Sequence, residues 1–243
     1  MPIRYVNQQR LEKEDILFED NHLLVVNKKA GLLVQGDKTG DITLIEIAKE
    51  YIREKYNKPG NIFIGLSHRI DRPASGIVIL CKTSKSLSRV AQAFKSKSIK
   101  KTYSAIVTNR PPFIKDKLVH WLRKNPDINK VTVYASGQED ALKSELDYEL
   151  LKEKEGKYLL GINLVTGRSH QIRAQLSKIK CPIVGDLKYG ANQPAPGKII
   201  YLHASSVELV HPVRKETLNI IAPFPNFGLW KLFENDYKML SHL

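Results

Sequence analysis

The stretch SHRIDRPASGIVILCK, residues 67–82, decides how this chain is read. Its first half sets one carboxylate, Asp71, between Arg69 and Arg72. Pro73 and Gly76 then bend the chain into an apolar run at 77–81. Bounded by turn residues and too short for a helix, that run reads as a buried strand. A polar loop at the mouth of such a strand is where chemistry is held by a rigid element. The neighbouring guanidinium groups favour the ionised carboxylate, which suits a nucleophile or a base better than a general acid. The same residues also make an ordinary turn, with Asp71 as a cap and the arginines in solvent, and both readings stand at this point.

Outward from this strand the pattern is of short strands and few helices. ILFEDNHLLVVNKKAG (16–31) gives two strands around an Asp-Asn turn, closed by a glycine. TLIEIAKEYIREKY (43–56) is an amphipathic helix, with Thr43 and Glu46 at capping-box spacing. A second helix spans 84–97, with Leu87, Val90, Ala91 and Phe94 inward, and KTYSAIV (101–107) is a strand. Residues 110–140 carry turn signals and basic side chains and suggest an extended, mobile excursion with one or two hairpin strands. Strands follow at 142–150 and 157–165, a helix at 168–180, strands at 199–204, 206–212 and 216–223, and a short closing helix. Without regular alternation of strand and helix, this order predicts an α+β fold with a mostly antiparallel sheet.

Composition narrows the partners. The 243 residues allow one large domain or two small subdomains, and 42% apolar residues argue against disorder. No apolar run approaches the ~20 residues of a membrane helix, and MPIRYVNQQRLEKED at the N-terminus lacks a signal-peptide core. The expected protein is soluble and cytoplasmic. Cys81 and Cys181 lack the clustering of a zinc site, so they read as reduced, packed thiols. The formal charge is +14. Its excess concentrates in Lys82, Lys85, Arg89, Lys95, Lys97, Lys100, Lys101, Arg110, Lys115, Lys117, Arg123, Lys124 and Lys130, against Asp116 and Asp127 alone. Such a stripe attracts a polyanion, although a solvated lysine-rich face has the same composition.

Two further stretches carry chemistry. In VTGRSHQIRAQL (165–176) a strand ends at Thr166-Gly167 and a helix begins, so exposed amides there suit a phosphate. Arg168 lies beside that point, Arg173 reaches from one turn on, and His170 and Gln171 are placed to bond backbone. Cations in a first helical turn oppose the helix dipole, a cost with no local gain. In KKTYSAIV, Tyr103 shares a strand face with Ala105 and Val107; it is a core residue, or it stacks on a base or handles a proton. HRID lacks the spacing of a kinase loop, GDKTG is not a phosphate-binding loop, and neither H-E-x-x-H nor G-x-S-x-G occurs.

Taken together, EDNHLLVVNKKAGLLV, HRIDRPASGIVIL, KKTYSAIV, TGRSHQIRAQL running into CPIVGDLKYG, and LHASSVELVHP occur in the order found in one family. From about residue 15 to about 225 the chain closely resembles the RluA-type RNA pseudouridine synthases. The resemblance implies a single catalytic domain over 1–243, in which a mostly antiparallel mixed sheet in two halves flanks a catalytic cleft. It implies that uridines in ribosomal or transfer RNA are isomerised by base flipping, without cofactor or metal. Asp71 would be the essential catalytic residue, at C1′, at C6 or as base for the 2′ proton. Arg69 would help displace the base, Tyr103 would line the uracil pocket, and Arg173 would pair with the catalytic carboxylate. Arg168 and His170 would support the site or the RNA backbone, and Leu202 would pack against the pocket. Lys29 stands where the family usually has proline, and Ala74 where it has threonine. The stretch before residue 16 is too short for the S4 domain of many relatives, so the basic stripe is the expected RNA grip, in a monomer. A decayed, purely RNA-binding relative acting in ribosome assembly is the rival reading, and the retained Asp71, Tyr103 and Arg173 argue against it. A methyltransferase would need a glycine-rich cofactor loop that is not found.

Overall fold

Seven consecutive buried positions, Ser75–Cys81, form the strand expected from the opening stretch. A computed structural model describes residues 10–236; the first nine residues of the N-terminal reading lie outside them. In chain order the elements are β1 (Ile16–Glu19), β2 (Leu23–Lys28), α1 (Leu44–Tyr56), β3 (Gly65–Leu66), β4 (Ser75–Cys81), α2 (Ser84–Lys95), β5 (Lys100–Val107), β6 (Lys115–Asn125), β7 (Lys130–Tyr134), β8 (Leu142–Lys154), β9 (Lys157–Leu164), α3 (Gln171–Lys178), β10 (Leu202–Val210) and β11 (Thr217–Ile221), followed by a 3-10 turn, Gly228–Phe233. The chain forms two units, Met1–Ile99 with Ser206–Ala222, and Lys100–Ser205 with Pro223–Leu243. Residues 202–205 of β10 belong to the second unit and 206–210 to the first. The fold is α+β, as expected.

In the first unit β2 lies between β1 and β4, all antiparallel, β3 pairs with the end of β4, and β11 pairs with β10. Asp20 makes the β1–β2 turn by accepting the amides of His22 and Leu23, both at 2.8 Å. Helix α1 starts where the capping box placed it, Thr43 accepting from Glu46 and Glu46 reaching back to Thr43. Leu44, Ile47, Ala48 and Ile52 bury its apolar stripe. On α2 only Val90 among the expected inward residues is fully buried; Ala91 is exposed, too small to mark a face.

In the second unit β5, β9, β8, β6 and β7 form an antiparallel meander. Residues 110–140 carry the expected hairpin strands, β6 and β7, and β6 is also tied into the sheet by β8, with Leu118 and Leu122 buried beneath. Helix α3 starts at Gln171 rather than at 168, because its N-cap His170 sits at φ 50°, outside the helical region, and it ends at Lys178. Residues 199–201 are buried but outside any strand. Their apolarity reflects burial of an irregular segment whose backbone bonds Val184 and Ile106. The two strands expected at 199–204 and 206–212 are one, β10. Both cysteines are free and buried, and no helix among the described residues is long and apolar enough to cross a membrane.

Candidate active site

Within the first unit, Asp71 lies half-buried on the loop between β3 and β4. Buried Ile70 and Ala74 anchor this loop on either side, and the Ala74 amide closes it onto the Asp71 carbonyl at 3.1 Å. Gly76, the second residue of β4, stands at φ 110°, where a side chain is strained, and this allows the sharp entry into the strand.

The loop is centred on Lys28, which is only 1% exposed. Its three ammonium N–H groups are shared among the carbonyls of Lys29 (3.0 Å), Leu32 (2.9 Å), Arg72 (3.3 Å) and Ala74 (2.7 Å). Two segments distant in sequence, 29–32 and 72–74, are thereby tied to one cation. Burial pulls the Lys28 amine down to about 7; the Asp71 carboxylate works against that fall and Arg72 adds to it. Two bonds of the Arg72 side chain go elsewhere than to Asp71. Arg72 turns away, its Nε donating to the Gly31 carbonyl at 2.9 Å and its Nη2 to Asp41 at 2.6 Å, and Arg69 is exposed. Lys29, in the family's proline position, instead faces buried Asp15 at 3.3 Å.

The second unit holds the other candidates. Tyr103 is half-buried on β5 opposite Ile162. Lys101, two residues earlier on the same strand, is held below the ordinary lysine range by burial. The turn before α3 is built on Gln171, whose Oε1 accepts from Thr166 (2.8 Å) and from the Arg168 amide (3.0 Å), while its Nε2 donates to the Glu145 carbonyl (3.0 Å). The Arg168 side chain is exposed. His170 Nδ1 lies 2.8 Å from the Tyr189 hydroxyl, which accepts the Val131 amide of β7 at 2.8 Å.

Arg173 is 6% exposed and its fork meets buried Asp186 twice, Nε to Oδ2 at 2.6 Å and Nη2 to Oδ1 at 2.8 Å. Its guanidinium also lies over the Tyr189 ring, 5.0 Å from the centroid. This explains the cation that the helix dipole disfavours: Asp186, not the helix, compensates it. Gly185, before Asp186, stands at φ 85°, and a Cβ there would come within 2.6 Å of the Ile199 carbonyl oxygen. Leu202 is buried at the start of β10. The structure thus gathers Arg168, His170 and Arg173 around α3 with Asp186 and Tyr189. Neither of these two was among the candidates, although both lie in CPIVGDLKYG, and nor was Lys28. A concavity in this unit lined by Lys115, Lys117, Asp147 and Asn163 contains none of the candidates.

A family model described as RNA pseudouridylate synthase matches residues 22–178. The chain belongs to that family. Ribosomal large subunit pseudouridine synthase C of Rickettsia felis is 31% identical over 234 residues, covering 93% of this chain and 72% of the relative. The synthase C of Buchnera aphidicola subsp. Baizongia pistaciae is 33% identical, covering 86% of this chain and 66% of the relative. Ribosomal large subunit pseudouridine synthase D of Zymomonas mobilis is 28% identical, covering 87% and 69%. Among solved structures, human RNA pseudouridylate synthase domain containing 4 shares the fold with a TM-score of 0.75 at 23% identity, covering 90% of this chain and 92% of that one. The enzyme isomerises uridine in RNA to pseudouridine.

Proposed function

We propose that the chain works as one catalytic domain, a cytoplasmic monomer acting on uridines of large-subunit ribosomal RNA, with Asp71 as its essential residue. The observation that carries this reading is the Asp71 loop itself, locked by a fully buried ammonium on four carbonyls. A loop fixed to that degree is what a carboxylate needs when it must meet a sugar–base junction within a fraction of an ångström. The names of the relatives support ribosomal RNA over transfer RNA.

The reaction breaks the C1′–N1 bond, turns the uracil and rejoins it through C5. The uridine leaves its stack to be reached, and exposed Arg69 fills the space it vacates. Asp71 acts as the ionised carboxylate. Tyr103 lies against the flipped uracil, with Leu202 behind the pocket. Asp186 takes Nε and Nη2 of Arg173; keeping the catalytic carboxylate ionised is the role proposed for this arginine. Arg168 and His170 meet RNA phosphates, and no cofactor or metal is assigned. The basic stripe divides by use. Lys82 is nearly buried against Glu19, while Lys115 and Lys117 face Glu149 and Glu145. The RNA grip therefore rests on exposed cations such as Lys85, Lys95, Lys97 and Lys124.

The test is to incubate the purified protein with large-subunit ribosomal RNA and transfer RNA transcripts and to map pseudouridine by carbodiimide adducts that stop reverse transcription. New stops in ribosomal RNA alone are expected. Stops in transfer RNA alone would overturn the substrate assignment.

A further inference from the structure

The chain leaves β3 at Leu66, the last residue paired with β4, opposite Leu80. The next amide along β4 is that of Ile79. It donates to the side chain of His68, at Nε2, over 2.9 Å. The imidazole therefore continues the edge that β3 abandons. The ring is held on its face by Phe94 of α2, with centroids 4.6 Å apart and planes inclined by 32°. His68 is followed directly by Arg69, Ile70 and Asp71.

We infer that His68 is a positioning residue for Asp71, and that it works only as the neutral imidazole. This rests on the assignment of Asp71 as the catalytic residue. A ring nitrogen that accepts an N–H bond carries no proton, so the proton of neutral His68 lies on Nδ1. A proton arriving at Nε2 turns the acceptor into a donor that faces another donor. The Ile79 amide then loses its partner and the loop loses its attachment to β4. Lys28 secures the far side of the loop through Arg72 and Ala74, but it does not touch the near side, where the chain leaves β3.

The charged and titratable side chains on the elements around this loop are Lys85, Arg89 and Lys95 on α2, Cys81 on β4, Lys28 on β2, and Arg69, Asp71 and Arg72 on the loop itself, with none on β3. Protonation at Nε2 removes the acceptor, so the bond belongs to the neutral ring and is lost when the ring takes up a proton.

Three proteins test the inference: wild type, His68→Gln, whose Oε1 can accept the same amide but cannot titrate, and His68→Leu, which can do neither. Tritium release from C5-labelled RNA is followed against pH under saturating and limiting RNA. The expected result is a kcat about a hundredfold lower for His68→Leu, in line with a loop displaced by about 1 Å, with KM changed less than about threefold. His68→Gln recovers at least about tenfold of that loss. Its rate no longer falls with the acid limb of the wild type. A His68→Leu enzyme as fast as wild type, or a His68→Gln enzyme with the same acid limb, overturns the inference.

Nitrogen-15 spectra of the imidazoles, assigned by the signal missing in His68→Gln, give a readout that needs no activity. An unprotonated Nε2 is expected; a proton on Nε2 at neutral pH overturns the inference. Should the wild type release no tritium, the catalytic reading fails while the spectra still decide the hydrogen bond.

Discussion

Replacing Lys28 by methionine separates two opposing contributions at the heart of the Asp71 loop. The ordinary lysine value of 10.5 falls to about 7 on folding, first because burial strips water from the ammonium, with Asp71 resisting and Arg72 assisting. Between those two pH values the unfolded chain holds a proton that the folded chain has released. Unfolding then takes up a proton, so raising pH stabilises the fold. The slope is ~1.4 kcal/mol per pH unit once the folded amine is neutral. From pH 7, where it is half protonated, to pH 9 this amounts to about 2 kcal/mol. Methionine removes that slope.

The level of stability moves less predictably than the slope, because two effects compete. Holding a charge in the site costs about 5 kcal/mol at low pH, from the fall of 10.5 to about 7 at ~1.4 kcal/mol per unit. Against that, methionine leaves carbonyls without their ammonium. Those of Arg72 and Lys29 keep the amides of Gly31 and Leu32 as donors, whereas a carbonyl left unpaired costs about 1–3 kcal/mol. Urea denaturation of both proteins at pH 7, 8 and 9 measures the difference. Titrations common to both, such as that of Cys81, whose thiol burial pushes up to about 11, cancel. Parallel stability curves for wild type and Lys28→Met would mean that the Lys28 amine does not release its proton on folding in this range.

Further outcomes follow from other parts of the fold. Glu19 resists ionisation through its burial, yet bonds from Lys55, Lys82, Tyr56 and Tyr51 hold it down at about 2. Its contribution is present above about pH 4.5 and lost as pH falls towards 2, so Glu19→Gln flattens acid denaturation across that window; an unchanged acid limb by circular dichroism contradicts this. Asp186→Asn removes the carboxylate that takes Nε and Nη2 of buried Arg173 and costs about 3–5 kcal/mol, read from the urea midpoint; a loss below about 1 kcal/mol would mean the pair is solvated. Arg173→Ala strands Asp186 in the same way, so its effect on turnover is interpretable only beside its stability. Exchanging Lys95, Lys97 and Lys124 for glutamine reduces the salt dependence of RNA binding, by up to ~0.9 in log–log slope for each phosphate that is no longer neutralised. The same change at Lys115 and Lys117, which already face carboxylates, has a smaller effect; equal effects would contradict the division of the stripe.

What could be read from the sequence was what local physics decides. The capping box of α1, the Asp-Asn turn at residue 20 and the apolar run of β4 depend on neighbours within a few residues, and each formed where expected. The start of α3 was misplaced, since nothing in GRSHQIR announces that His170 adopts a left-handed backbone. Burial of irregular chain at 199–201 looked like a strand, because apolarity records burial and not hydrogen-bond pattern. Long-range partners were least legible. Arg72 was read beside Asp71 and pairs with Asp41; Lys28 was passed over as one more lysine, because its carbonyl partners come from residues up to 46 positions away. The ordered motifs singled out Asp71, Tyr103 and Arg173 as candidates, but Asp186, the partner of Arg173, emerged only when the chain was folded.

The most direct test of Asp71 is tritium release. Uridine labelled at C5 loses its tritium to water when C5 becomes the glycosidic carbon, so release counts turnovers. Wild type and Asp71→Asn are compared on labelled large-subunit ribosomal RNA, with RNA binding measured in parallel. Wild type is expected to release tritium and Asp71→Asn none, with both proteins binding RNA to a similar degree. Release by Asp71→Asn at a rate near that of wild type would contradict it.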